Sequence, residues 1–280
     1  MKTTRLLSLL CFALLVVGNT CAQASDMPAD PDYDVVDRYV QDQMTDCRIP
    51  GFSLGIVKEG ELLYMKGYGR ADDSGLAVTP QTPFLLGSVS KTITALAVMQ
   101  LQETGKLDLD RPVKAYLPAF TLADARAAGE ITVRMLLNHT SGIDPEAEFQ
   151  VCSLRGDDET IAELVAKFKD IQPAWRPGER FVYGNANYIV LGAMIEQISG
   201  MSYGAYLQQF IFDPLEMKHS YTSALDANGD GLATGYLPIF GVPVASHLPY
   251  RKDFTPAYNI ISCAEDMTHY MVALQNIMHP

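Results

Sequence analysis

Ser88 and Lys91 stand three positions apart in the run Ser88-Val89-Ser90-Lys91. If a helix begins at Ser88, the two side chains lie one turn apart on the same face. That pairing suits nucleophilic catalysis. A serine hydroxyl is a weak nucleophile until a neighbouring base removes its proton. A lysine amine desolvated by apolar neighbours loses some of its preference for the charged form and can act as that base. A helix start adds a positive field and unpaired N–H groups where negative charge would build up. The same four residues are also what a serine N-cap followed by a solvated lysine looks like, so the surrounding sequence has to decide.

The elements that would position this pair are legible in outline. Val35, Val36, Tyr39, Val40 and Met44 recur at helical spacing. Phe52–Val57 and Glu61–Gly67 flank Lys58-Glu59-Gly60 and predict a hairpin of two strands. A helix is expected from Ser88 to Thr104, closed by Gly105. Ile161, Leu164, Val165 and Phe168 mark a further amphipathic helix, and Tyr188–Ser199, stopped by Gly200, another. Ser262 and Glu265 have the spacing of a capping box and are expected to open a last helix through Leu274. Strands first and helices after predict an α+β arrangement, an antiparallel sheet with a mostly helical lobe. Two strands alone are marginal, so more are expected, yet the sequence offers no clear run for them and the sheet reads as incomplete towards the C-terminus.

The segment Leu86–Lys91 with Thr92–Leu101, followed by Trp175-Arg176-Pro177-Gly178-Glu179-Arg180-Phe181-Val182-Tyr183-Gly184-Asn185, resembles the serine β-lactamase and D,D-peptidase-like hydrolases of the class C type. Leu136–Gly142, Asp213–Met217 and Ser262–Asp266 resemble further segments of that family, in its order. The resemblance spans about residues 35 to 275. It implies a β-lactamase/transpeptidase-like fold with Ser88 at the seam between sheet and helical lobe. It implies Ser88 as nucleophile, Lys91 and Tyr183 as the proton-transfer pair, and Asn185 as a substrate-binding residue that also helps hold the lysine. Substrates would be a β-lactam, a D-amino-acid peptide or a small ester, with no cofactor. Members also carry a Lys-x-Gly or His-x-Gly motif on a late strand, which supplies one oxyanion donor. Here Lys58-Glu59-Gly60 has those letters but sits in the predicted hairpin turn. The chain therefore reads as a fragment of a longer enzyme or a degenerate homologue. A non-catalytic ligand-binding or sensor homologue that keeps the fold is the rival.

The net charge of −12 argues against nucleic acid and anionic lipid as partners. Lys2 and Arg5 precede the apolar run Leu6–Val17, and Ala22-Gln23-Ala24 supplies a small-x-small site. Residues 1–24 thus read as an export signal, residues 25–280 as the hydrolase domain, and the mature chain as periplasmic or secreted. No later run approaches a membrane span. A small-molecule or peptide substrate is the expected partner, and oligomeric state is left open. Residues 25–31 read as a disordered lead-in. Cys47, Cys152 and Cys263 remain after cleavage and fit no metal or redox spacing. Asp226–Gly231 copies half of a calcium loop but lacks its closing glutamate, and reads as a solvated turn. His139 has no triad partners in order and reads as structural, and Asn138-His139-Thr140 is assigned no glycan.

Overall fold

The computed structural model describes residues 32–151, 159–246 and 250–278. The expected export signal, the lead-in and Cys152 lie outside the described residues. The predicted opening helix is α1 (Tyr33–Asp46), whose first turn is capped by the Asp32 carboxylate accepting from Asp34 N–H at 3.1 Å. Strands β1 (Gly51–Lys58) and β2 (Glu61–Gly69) follow as an antiparallel hairpin, with Gly51 opposite Gly69 and Lys58 opposite Glu61. Glu59 and Gly60 turn the chain at φ 53° and 80°, a pair of left-handed residues that matches the twist of a tight hairpin. Lys58-Glu59-Gly60 is therefore at the turn, where the sequence places it.

Beyond the hairpin, strand β3 (Phe84–Leu85) leads into α2 (Ser90–Glu103). Short helices α3 (Ala125–Glu130), α4 (Val133–Leu137), α5 (Ala147–Val151) and α6 (Ile161–Ala166) then build the helical lobe. Of these, α4, α5 and α6 pack against α7 (Asn185–Ser199), in which every residue from Ala186 to Ile195 is buried. A helix apolar on all sides belongs in the middle of a core, and each fully buried Leu, Ile or Val there stabilises by roughly 1.5–3 kcal/mol. Gly200 ends α7 at φ 71°, as its sequence signal predicts. Helices α8 (Tyr203–Leu207) and α9 (Ala224–Asn228), strands β4 (Gly235–Ile239), β5 (Val242–Ser246) and β6 (Ile261–Ser262), and α10 (Ala264–Met278) complete the chain.

Three expectations need correction. The described residues hold three separate two-stranded ladders, β1–β2, β3–β6 and β4–β5; only the first was read from sequence, and the longer of the two missed is β4–β5. Pro238 and Pro243 stand opposite each other in it; a residue without an N–H weakens a strand signal, because it survives only where that N–H is not needed. The Ser262–Glu265 capping box does not form. Ser262 Oγ instead shares a hydrogen bond of 2.8 Å with Ser220 Oγ, and Glu265 accepts from Gln81 Nε2 at 2.9 Å. Cys263 Sγ takes the cap, accepting from Asp266 N–H at 3.4 Å. The turn expected at Asp226–Gly231 is partly helix, and Asp230 is not simply solvated: it accepts from Tyr221 OH at 2.7 Å and pairs with His219.

The site lies at the starts of α2 and α7, with α10 walling one side of the cavity beside them. Helix α10 packs on β1 at Gly55, where a Cβ would lie 2.5 Å from Thr268 Cγ2. No helix among the described residues is long and apolar enough to cross a membrane. Cys47 and Cys263 are unpaired thiols, the first exposed and the second buried.

Candidate active site

The approach to Ser88 is fixed by its backbone. Leu86 N–H donates to Ile260 O at 2.9 Å, and Gly87, at φ 56°, then bends the chain into a 3-10 turn over Gly87–Val89. The α-helix proper starts two residues later than the sequence predicts, at Ser90. Ser88 thus stands in a tighter turn at the helix entrance and is exposed, while Lys91 lies in the first turn of α2 with 5% of its surface accessible. Two further bonds dock this end of α2 on residues 255–260. Ser90 Oγ accepts from Ile260 N–H at 3.1 Å, and Thr94 Oγ1 donates to Pro256 O at 2.7 Å.

Lys91 is the hub. Its Nζ donates to Asn185 Oδ1 at 2.8 Å and to Ala257 O at 2.7 Å, and lies 3.4 Å from Ser88 Oγ. Two carbonyl oxygens therefore occupy two tetrahedral directions of the nitrogen, and Ser88 lies along another. In the amine form a lone pair can point that way; in the ammonium form an N–H can. Residue 257 reaches Lys91 because α7 carries Gly192, at which a Cβ would fall 2.3 Å from Pro256 Cγ. The absence of a side chain there lets the 255–259 turn (Thr255–Asn259) sit directly on the central helix.

Tyr183 and Asn185 flank Gly184, the extended N-cap of α7 at φ −155° and ψ 138°. Extended backbone sends residues on either side of it the same way, so both side chains reach Lys91. Asn185 is the first residue of the helix rather than its cap. The Lys91 nitrogen lies 4.9 Å from the centre of the Tyr183 ring. Burial pushes the Tyr183 phenol up, but hydrogen bonds with Lys91 and Ser88 and the lysine charge outweigh it, so the phenol titrates below its ordinary value. Ser88, Lys91, Tyr183 and Asn185, singled out from sequence, are all brought together.

Behind them lies His139, 9% exposed, its ring 4.6 Å from that of Tyr183 and 5.2 Å from that of Tyr188. Its Nδ1 accepts from Gly184 N–H at 3.3 Å. Burial foremost, then the Lys91 charge, lowers its pKa to about 4, so the ring is neutral at pH 7.

Ser88, Lys91, His139 and Tyr183 border an open cavity of about 730 Å³, walled on the apolar side by Leu96, Met99, Tyr270 and Leu274. Sequence reasoning missed the Ala257 carbonyl and the wall from α10. The first has no side-chain signature at all, and the second follows only from how α10 packs. No strand other than β2 pairs with β1 among the described residues.

A family profile described as Beta-lactamase matches residues 36–278. The chain is 32% identical over 231 residues to penicillin-binding protein 4 of Amycolatopsis lactamdurans, covering 81% of this chain and 59% of that protein. It is 28% identical over 237 residues to Protein flp of Staphylococcus aureus, covering 84% of this chain and 47% of that protein. The octameric penicillin-binding protein homologue from Pyrococcus abyssi superposes with a TM-score of 0.75 at 33% identity, over 86% of this chain and 56% of that one. The chain thus spans about half the length of the curated relatives it matches.

Proposed function

Since the chain belongs to the Beta-lactamase family, whose members are in general serine hydrolases, we propose that it is an exported hydrolase that works through an acyl-enzyme on Ser88. The observation that carries this reading is Lys91, held by Asn185 and Ala257 with its nitrogen 3.4 Å from Ser88 Oγ. Tyr183, its phenol depressed by the same lysine, is the second proton acceptor within reach. In the first step the Ser88 proton passes to Lys91 or Tyr183 as Oγ bonds to an amide or ester carbonyl carbon. Collapse of the tetrahedral species breaks the C–N or C–O bond, and the departing group takes that proton. Water then gives a proton to the same pair as its oxygen bonds to the acyl carbon; the carbon–Oγ bond breaks, the pair returns the proton to Oγ, and an acid and free Ser88 are left. One oxyanion donor is the Ser88 N–H, which the entrance of the helix leaves without an intrahelical carbonyl. In this reading Asn185, which holds the lysine, also bonds the substrate. The substrate class is a β-lactam, a D-amino-acid peptide or a small ester.

The test is the intact mass of the purified chain after exposure to a fluorophosphonate and to a penicillin, with Ser88→Ala alongside. An adduct on the parent and none on the variant supports the reading. A folded parent that binds penicillin reversibly and gains no mass from either reagent overturns it in favour of a ligand-binding homologue.

A further inference from the structure

His139 is wrapped by the loop that carries Tyr183. Its carbonyl accepts from Val182 N–H at 2.8 Å and its Nδ1 from Gly184 N–H at 3.3 Å, so one residue grips the chain on both sides of Tyr183. Asn187 closes the grip from α7. Its Nδ2 bonds Gly184 O at 3.2 Å and lies 3.3 Å from Nδ1 of His139, while its Oδ1 takes Ser141 Oγ. His139 does this from φ 57°, a left-handed conformation that costs a non-glycine residue of order 1 kcal/mol and persists only where surrounding contacts hold it. Backbone N–H groups only donate, so the Nδ1 facing Gly184 must carry a lone pair.

We propose that His139 is a positioning residue, whose unprotonated Nδ1 holds the 182–184 backbone so that Tyr183 stays against Lys91 and Ser88. This rests on the roles given above to Ser88, Lys91 and Tyr183. It differs from a merely core histidine in what it predicts: the acceptor at Nδ1, not the bulk of the ring, sets the chemistry of Tyr183. Protonation would set an N–H against the Gly184 N–H and release the loop. The titratable groups around the ring are Lys91 from α2, Tyr183 from the loop and Tyr188 from α7. The depressed pKa of His139 is consistent with a ring kept in the accepting form at working pH.

The experiment titrates Tyr183 by NMR, with tyrosine carbon-13 at Cζ and the resonance assigned through Tyr183→Phe. The parent is compared with His139→Asn and His139→Gly. Asparagine offers an amide oxygen near the place of Nδ1 and tolerates left-handed φ; glycine tolerates the φ and has no acceptor. The expected result is a Tyr183 titration unchanged in His139→Asn and moved upward by about one unit or more in His139→Gly, as the phenol leaves Lys91. Fluorophosphonate acylation should slow by about 10²-fold in the glycine variant and recover to within several-fold in the asparagine one. A glycine variant in which Tyr183 titrates as in the parent overturns the proposal, as does equal impairment of both variants. A parent that gains no adduct counts against the Ser88 reading alone, since the Tyr183 titration still decides the positioning claim. Should neither variant fold, the Gly184 amide resonance of the parent must shift with the titration of the His139 ring; a Gly184 amide indifferent to it overturns the proposal.

Discussion

Lys91 Nζ and Asn185 Oδ1 are 2.8 Å apart although 94 residues separate them in the chain. The bond joins the first turn of α2 to the first residue of α7, so the catalytic candidates sit on two helix starts locked to each other. Replacing Asn185 with Leu removes the acceptor while Ala257 O remains. A hydrogen bond to a charged group contributes about 1.5–3 kcal/mol, so Asn185→Leu is expected to lower stability by up to that amount. It should also slow acylation by at least about tenfold, read by denaturant unfolding and by the rate of adduct formation.

Lys91→Ala should abolish detectable acylation by a fluorophosphonate and leave a folded chain. General acid–base contributions are typically 10²–10⁴-fold, and here the residue also depresses the Tyr183 phenol. A Lys91→Ala chain that acylates at the parent rate would remove the lysine from the mechanism. Circular dichroism on the same sample separates lost chemistry from lost fold.

Gly192→Val drives a side chain into Pro256, whose Cγ would lie 2.3 Å from the first added carbon. Overpacking of this kind costs roughly 1–3 kcal/mol. Because the displaced turn carries Ala257 O, the substitution should lower both the melting temperature and the acylation rate, though Gly192 lies outside the cavity lining.

His139 gives a pH dependence with a definite sign. Its folded pKa of about 4 lies below the ordinary value of 6.5, so below that value the unfolded chain binds a proton that the folded one does not. The stability tied to the neutral ring is full above about pH 6.5 and is lost as pH falls towards 4, by at most about 3 kcal/mol. Urea unfolding at pH 7, 5.5 and 4.5 should show this decline in the parent and a flatter profile in His139→Asn.

A separate, more acidic window belongs to Asp37. It accepts from Tyr68 OH at 2.6 Å and from Tyr64 OH, and pairs with Lys66, tying α1 to β2. The bond from Lys66 first, then those from the two tyrosines, hold its carboxyl at about 2. Its contribution is present above the unfolded value near 3.8 and lost as pH falls through about 2. Asp37→Asn should remove that acid step and leave the one at His139.

The sequence alone determined what contiguous signals can carry. The β1–β2 turn was legible because Lys58-Glu59-Gly60 separates two strand-like runs, and Gly60 takes its φ of 80° without strain. The end of α7 was legible because Gly200 stops it, and Ser88, Lys91, Tyr183 and Asn185 because two short motifs hold them. Tertiary structure decided where side chains or backbone had distant alternatives. Ser262 and Glu265 found Ser220 and Gln81 instead of capping α10, since a buried hydroxyl bonds whatever partner packing brings to it. The start of α2 shifted to Ser90 because Ile260 holds both Leu86 and Ser90. The third partner of Lys91 is a carbonyl, and every residue has one. Only the fold, through the bare face of Gly192, chose that of Ala257.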